Sequence, residues 1–176
     1  LPVLLSQVAL ADSTQNSFVG SDACASCHEA QVQDWTNSHH DLAMQEANDK
    51  TVLGDFDNAT FIYEGVTTTF SRRGDEYWVK TDNESGELQD YRVAYVFGVY
   101  PLQQLLLPIH NDRLNALSIA WDARNASEGG QRWYHIYEDQ EPITSESPLH
   151  WTGVYHNWNS RCAECHSTNI VKGYDG

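Results

Sequence analysis

The pattern of apolar and polar positions divides the chain into four stretches. Residues 1–19 pair an apolar arm with a polar linker. Residues 20–50 predict helix: Ser21 or Asp22 can cap it, and the run 29–47 is dominated by Ala, Gln, Met, Leu and Glu with few breakers. Its one weak point is at Thr36 and Asn37. Residues 51–140 predict strands at 60–64, 67–72, 76–81, 88–97, 105–109, 114–121 and 132–137, rich in Val, Thr, Tyr, Phe and Trp. Turn signals separate them at Gly65, at Arg73-Gly74-Asp75, at Asn83 to Gly86, at Asn111-Asp112 and at Gly129-Gly130. Residues 141–176 read as irregular. The expected fold class is therefore α+β: an N-terminal helical segment, a central antiparallel meander in one sheet with an aromatic face, and an irregular C-terminal segment.

Composition sharpens this picture. Hydrophobic residues make up 40% of the 176, which is low for a large conventional core, while six Trp and nine Tyr are present. A bound flat apolar group would fill part of such an interior. The net charge of −15, with only ten Lys and Arg, excludes a nucleic-acid groove and disfavours an anionic membrane surface. No stretch after the arm is long and apolar enough to span a bilayer. The arm itself, LPVLLSQVALA at residues 1–11, resembles the tail of a signal peptide ending in small residues, or else an arm that docks on a neighbour.

All four cysteines fall in two pentapeptides, Cys-Ala-Ser-Cys-His at 24–28 and Cys-Ala-Glu-Cys-His at 162–166. Cys-x-x-Cys-His is the attachment signature of c-type haem. Two cysteines three apart set their sulfurs on one side of a tight turn, where they form thioethers to the two vinyl groups. The following histidine then ligates iron from the proximal side. Cys24, Cys27 and His28 would hold one haem, and Cys162, Cys165 and His166 a second. The rival is a four-cysteine zinc site, but the pairs stand far beyond the roughly 15–20 residues of zinc ribbons, and both run directly into His. Covalent attachment occurs outside the cytoplasm, so a periplasmic or extracellular location is expected.

The sixth iron ligand then decides between electron transfer and chemistry at an open position. The remaining histidines are His39, His40, His110, His135, His150 and His156, and Met44 is the single methionine. His39 and His40, in the predicted helix, point about 100° apart and would not serve one iron together. His40 and His150 lead as distal ligands, with His39 and His135 behind them. His135 shares a strand face with Trp133 and Tyr137, which suits either a haem wall or ordinary core. His110 reads as an exposed turn residue, His156 is undecided, and Met44 reads as a buried helix-face residue. Bis-His ligation at both irons, with a lower potential than His/Met, is the expectation.

Residues 18–28, then Trp35 and Ser38 to Met44, resemble the opening of multihaem c-type cytochromes related to the tetrahaem electron carrier of ammonia oxidisers. Leu149-His150-Trp151-Thr152-Gly153, followed by Asn157 to Asn169 around the second motif, is similar to larger multihaem members, some with tetratricopeptide repeats. With 100–104 and 117–122 between them, the likeness covers most of 18–175. The resemblance implies that His40, in its His-x-x-x-Met stretch, is an axial ligand, to the haem just upstream or to another. This chain has two motifs where such relatives continue into more.

Together these readings give residues 1–19 as arm and linker and 20–176 as a dihaem domain, subdivided at 50 and 140. The expected function is electron transfer with a redox protein or an extracellular acceptor. The arm 1–11 would add to the sheet edge of a neighbouring copy and build a head-to-tail filament. The alternative is an enzyme with one five-coordinate iron acting on a small oxidant or nitrogen compound.

Overall fold

A computed structural model describes residues 18–110, 113–167 and 170. The apolar arm, its linker at 12–17 and the Asn111-Asp112 turn lie outside those residues. Residues up to Gln33 and residues from Asp34 onward fall into two compact units.

The chain is mostly β, which corrects the α+β expectation. Among the described residues α-helix is confined to four short pieces: α1 (Asp22–Ala25), α2 (Glu29–Trp35), α3 (Trp158–Arg161) and α4 (Ala163–His166). The run predicted helical to residue 47 stops at Trp35. Asn37 adopts a left-handed φ of 60°, a conformation Asn tolerates better than most residues. Its backbone N–H donates to Asp41 Oδ2 at 2.8 Å, while Ser38 Oγ accepts from the Asp41 N–H at 3.3 Å. These local side-chain bonds offer the backbone an alternative to the helix ladder. The chain then enters β1 (Met44–Glu46), so Met44 lies on a strand and not on a helix face.

Eight further strands follow: β2 (Asp57–Tyr63), β3 (Val66–Arg73), β4 (Glu76–Asp82), β5 (Leu88–Arg92), β6 (Tyr95–Phe97), β7 (Leu102–Pro108), β8 (Leu114–Asp122) and β9 (Arg132–His135). The predicted strands are all present, but they build two antiparallel sheets and not one. The first has the order β1-β6-β7-β8-β9 and the second β2-β3-β4-β5. The predicted single strand 88–97 is where they part. Val93 donates to Tyr77 O on β4, and the next residue, Ala94, donates to Leu106 O on β7. One continuous extended run thus leaves one sheet and enters the other. The β2–β3 hairpin turns through Glu64-Gly65, both at positive φ, as a two-residue connection requires.

One core joins the inner faces of both sheets. Phe70, Val79, Tyr91 and Val93 come from the four-stranded sheet, and Val96, Leu105, Leu117, Ile119 and Trp121 from the five-stranded one. Aromatic rings fill its centre. Trp133 stacks on Phe70 with centroids 3.7 Å apart and meets Phe56 and Trp121 edge-on. A second, smaller core lies on the outer face of the five-stranded sheet, where Leu106 and Ala116 pack against Trp158 and Ala163. Strand alternation explains the division: Leu117 and Ile119 point inward, Ala116 and Ala120 outward.

Candidate haem-attachment sites

In the first unit, Cys24 and Cys27 are both exposed, as is His28. α1 ends in a helical turn in which Cys27 N and His28 N both donate to Cys24 O, at 3.2 and 3.0 Å. In the second unit the other motif repeats this arrangement: Cys165 N and His166 N both donate to Cys162 O, at 3.1 and 3.0 Å. The spacing therefore folds identically in two unrelated surroundings. A helical turn brings residues three apart to the same side, so each cysteine pair is presented together, with its histidine one position further round.

The second motif is fastened to β8. Asn157 caps α3 by accepting from Ser160 N at 3.0 Å, and its Nδ2 donates to Asn115 Oδ1 at 3.2 Å. Asn115 in turn donates to Trp151 O and Gly153 O. Asn159 Oδ1 accepts from Leu114 N at 2.8 Å. Cys162 is half-buried against the outer core, and burial, with Cys165 adding, pushes its thiol pKa up. Asn157 is the residue sequence reading missed. An Asn one position before an apolar helical residue is an N-cap signal, and here it starts the short helix that leads into the motif.

The surroundings suit a large apolar group. Phe18 and Val19, beside the first motif, are 66% and 73% exposed, and Val154 and Tyr155, shortly before the second, are 65% and 55% exposed. Apolar side chains left in water near a motif are surface that a porphyrin would cover. Trp158 Nε1 is buried beside Cys162 and has no hydrogen-bond partner among the described residues, as expected where a further polar group belongs.

The candidate distal histidines divide sharply. His39 and His40 are both exposed in the loop before β1. That loop is aligned with the second motif through the sheet: Met44 pairs with Phe97, and Phe97 meets the His166 ring edge-to-face at 5.0 Å. Met44 itself packs in the same cluster as Cys162, and His39 lies 6.2 Å from the Tyr100 ring. His150 and His135 are instead buried between the sheets. Both ring nitrogens of His150 are engaged, Nε2 with Asp82 Oδ2 at 3.1 Å and Nδ1 with Thr152 Oγ1 at 2.7 Å. His135 stacks on Tyr63 at 3.7 Å and accepts the Tyr137 N–H at Nδ1. His156 is buried too and donates from Nε2 to Leu149 O. His110 is exposed and bonds Glu84 at 3.2 Å.

The buried imidazoles have a measurable consequence. Burial, helped by His156 and His150 and opposed by Asp82, holds the His135 pKa down to about 4. Burial likewise lowers His156, against the opposing pull of the carbonyls it bonds. Both are therefore neutral in the folded protein while the unfolded chain takes up protons near pH 6.5. Between those values the unfolded state binds more protons, so stability falls as pH drops from about 6.5 toward 4. For His135 alone the loss is on the order of 3 kcal/mol. Urea midpoints at pH 7 and pH 4.5 should show this slope, and it should flatten in His135→Phe. An equal slope in that variant would assign the acid sensitivity elsewhere.

Among the described residues no helix is long and apolar enough to cross a membrane. Residues 23–60, which include the first motif and the His39-His40 loop, match the family described as cytochrome c554 and c-prime. That match supports a c-type cytochrome with covalently bound haem, a class that typically works outside the cytoplasm. No curated protein and no solved structure matches the chain.

Proposed function

We propose that the chain is a dihaem electron-transfer cytochrome acting outside the cytoplasm. The observation that carries this reading is the repeat of one local structure: two Cys-x-x-Cys-His turns, with the same pair of backbone hydrogen bonds, using every cysteine in the sequence. Cys24, Cys27 and His28 would hold one haem, and Cys162, Cys165 and His166 the other. When bound, such a group supplies one-electron exchange at iron.

The chain's own residues favour His39 or His40 as the distal partner at the second motif. The loop carrying them leads into Met44, which shares a cluster with Cys162 and a strand register with Phe97 beside His166. The family resemblance allows this for His40, which in such relatives is an axial ligand to the upstream haem or to another. The engagement of both His150 ring nitrogens and its 5% exposure support placing it behind His39 and His40 in this role. On this reading the partners are redox proteins or an extracellular electron acceptor, met at an acidic surface of net charge −15.

Intact-mass analysis of the natively matured chain should show two covalent haems, and its ferric spectrum should be low-spin with bis-imidazole character. His40→Ala and His39→Ala should differ, one of them turning a single haem high-spin. Bare polypeptide would overturn the proposal. A high-spin centre in the unaltered chain that binds cyanide rapidly would favour the enzyme reading instead.

A further inference from the structure

Three tripeptides of the form Asn-x-Ser/Thr occur in the sequence outside the cysteine motifs: Asn-Ala-Thr at 58–60, Asn-Glu-Ser at 83–85 and Asn-Ala-Ser at 125–127. This is the acceptor sequence for N-linked sugar in proteins that leave the cytoplasm. The tripeptide is necessary and not sufficient, so its surroundings decide which asparagine is usable.

An amide nitrogen is a poor nucleophile because its lone pair is shared with the carbonyl. A transferring enzyme must grip the side chain from outside and turn its carboxamide, and the attached sugar must then stand in water. Asn58 and Asn125 meet both conditions. Asn58 is the extra residue of a bulge: β2 pairs Asp57 with Ser71 and Ala59 with Phe70, which leaves Asn58 out of the ladder at a φ of 54°. Asn125 has extended backbone and opens the turn Ala126–Glu128 between β8 and β9. Both asparagines are exposed, as are Thr60 and Ser127 two positions on. Neither carboxamide has a hydrogen-bond partner among the described residues.

Asn83 differs. It is half-buried, and its Oδ1 accepts from Ser85 N and Glu87 N, both at 2.9 Å, which locks the carboxamide inside its own turn.

The two free sites also share one side of the sandwich. β2 and β9 are edge strands of their sheets. Tyr63 on β2 stacks on His135 of β9 at 3.7 Å, and Trp133 Nε1 donates to Asp55 O just ahead of β2. Asn58 stands at the start of β2, and Asn125 in the connection leading to β9. Edge strands offer unpaired N–H and C=O groups to other chains, and a bulky hydrophilic group beside them blocks that approach.

We infer that Asn58 and Asn125 carry N-linked oligosaccharide and that Asn83 does not. The inference rests on the placement outside the cytoplasm proposed above. In the transfer, Asn Nδ2 bonds to C1 of a sugar held on a polyprenyl phosphate or diphosphate carrier. The C1–O bond to the carrier breaks, its electron pair leaves with the phosphate oxygen, and the amide proton passes to a base of the transferring enzyme. Nothing is oxidised or reduced.

The test is peptide mass spectrometry of the natively matured chain from its natural source. Peptides containing Asn58 and Asn125 should be heavier by whole sugar residues and should release sugar oxonium ions on fragmentation. The Asn83 peptide should match the bare sequence. The cysteine peptides, with or without haem, are read in the same digest. Thr60→Ala and Ser127→Ala keep each asparagine, and in the same host each should lose the sugar from its own site alone. Bare Asn58 and Asn125 beside haem-bearing cysteine peptides overturn the inference and leave the cytochrome reading standing. Bare asparagines with haem-free cysteines overturn both. Sugar retained at Asn58 in Thr60→Ala or at Asn125 in Ser127→Ala, or found on Asn83, also overturns the inference.

Discussion

On the dihaem reading, replacing Cys162 and Cys165 together by serine is expected to remove one of two covalent haems and leave the sandwich standing. The two motifs belong to separate compact units, and each carries its own cysteine pair and histidine. The core between the sheets draws on neither pair. Loss of the second attachment therefore strips the outer face of the five-stranded sheet, where Cys162 packs with Trp158, Ala163, Leu106 and Ala116. The mass should fall by one haem, absorbance per chain should halve, and the far-ultraviolet circular dichroism of the sheets should persist. The matching change at Cys24 and Cys27 should remove the other haem and leave the His166 centre spectrally intact. A chain that keeps both haems after the Cys162 and Cys165 changes would show that attachment does not use this motif.

The second large effect concerns Trp133. Its indole stacks flat on Phe70, meets Phe56 and Trp121 edge-on, and donates from Nε1 to Asp55 O at 3.1 Å. Trp133→Ala removes all of these and opens a cavity at the centre of the core, a change that costs about 3–5 kcal/mol. Gly54 provides an internal check. A Cβ there would lie 2.5 Å from two carbons of the Trp133 ring, so Gly54→Ala alone is expected to destabilise by about 1–3 kcal/mol. In the Trp133→Ala background the obstruction is gone, and the same change should be nearly neutral. Urea midpoints for the two single variants and the double variant measure the coupling. Additive effects would mean that Gly54 is there for a reason other than the indole.

The strands were legible because they are bounded by residues with a mechanical role. Gly65, Gly74 and Gly86 sit at positive φ, where the chain must reverse. The helix from 29 to 47 was over-read because composition speaks for the whole run, while its end is decided by Asn37 and by bonds among Ser38, Asp41 and their neighbours. The division into two sheets leaves no trace in the sequence. Nothing between Arg92 and Tyr95 resembles a breaker, and the change of partner at Val93 and Ala94 arises from packing. Each cysteine motif is five consecutive residues, so the attachment expected of it is legible at once, and the structure gives both the same helical turn. Which histidine comes near which motif is decided by tertiary placement. His150 stands close to the second motif in sequence, yet Asp82 and Thr152 hold it between the sheets. His39 and His40, distant in sequence, are brought toward that motif by the pairing of β1 with β6.

The run from β5 into β6 behaves as a hinge pin driven through two plates. The layers cannot slide past one another without tearing it out of one of them. β6 is also the rail on which the His39-His40 loop is mounted through β1, and its last residue, Phe97, touches His166. A loop and a helix remote from each other along the chain are thus bolted to a common rigid frame, and their separation is set by that frame and not by the slack in either.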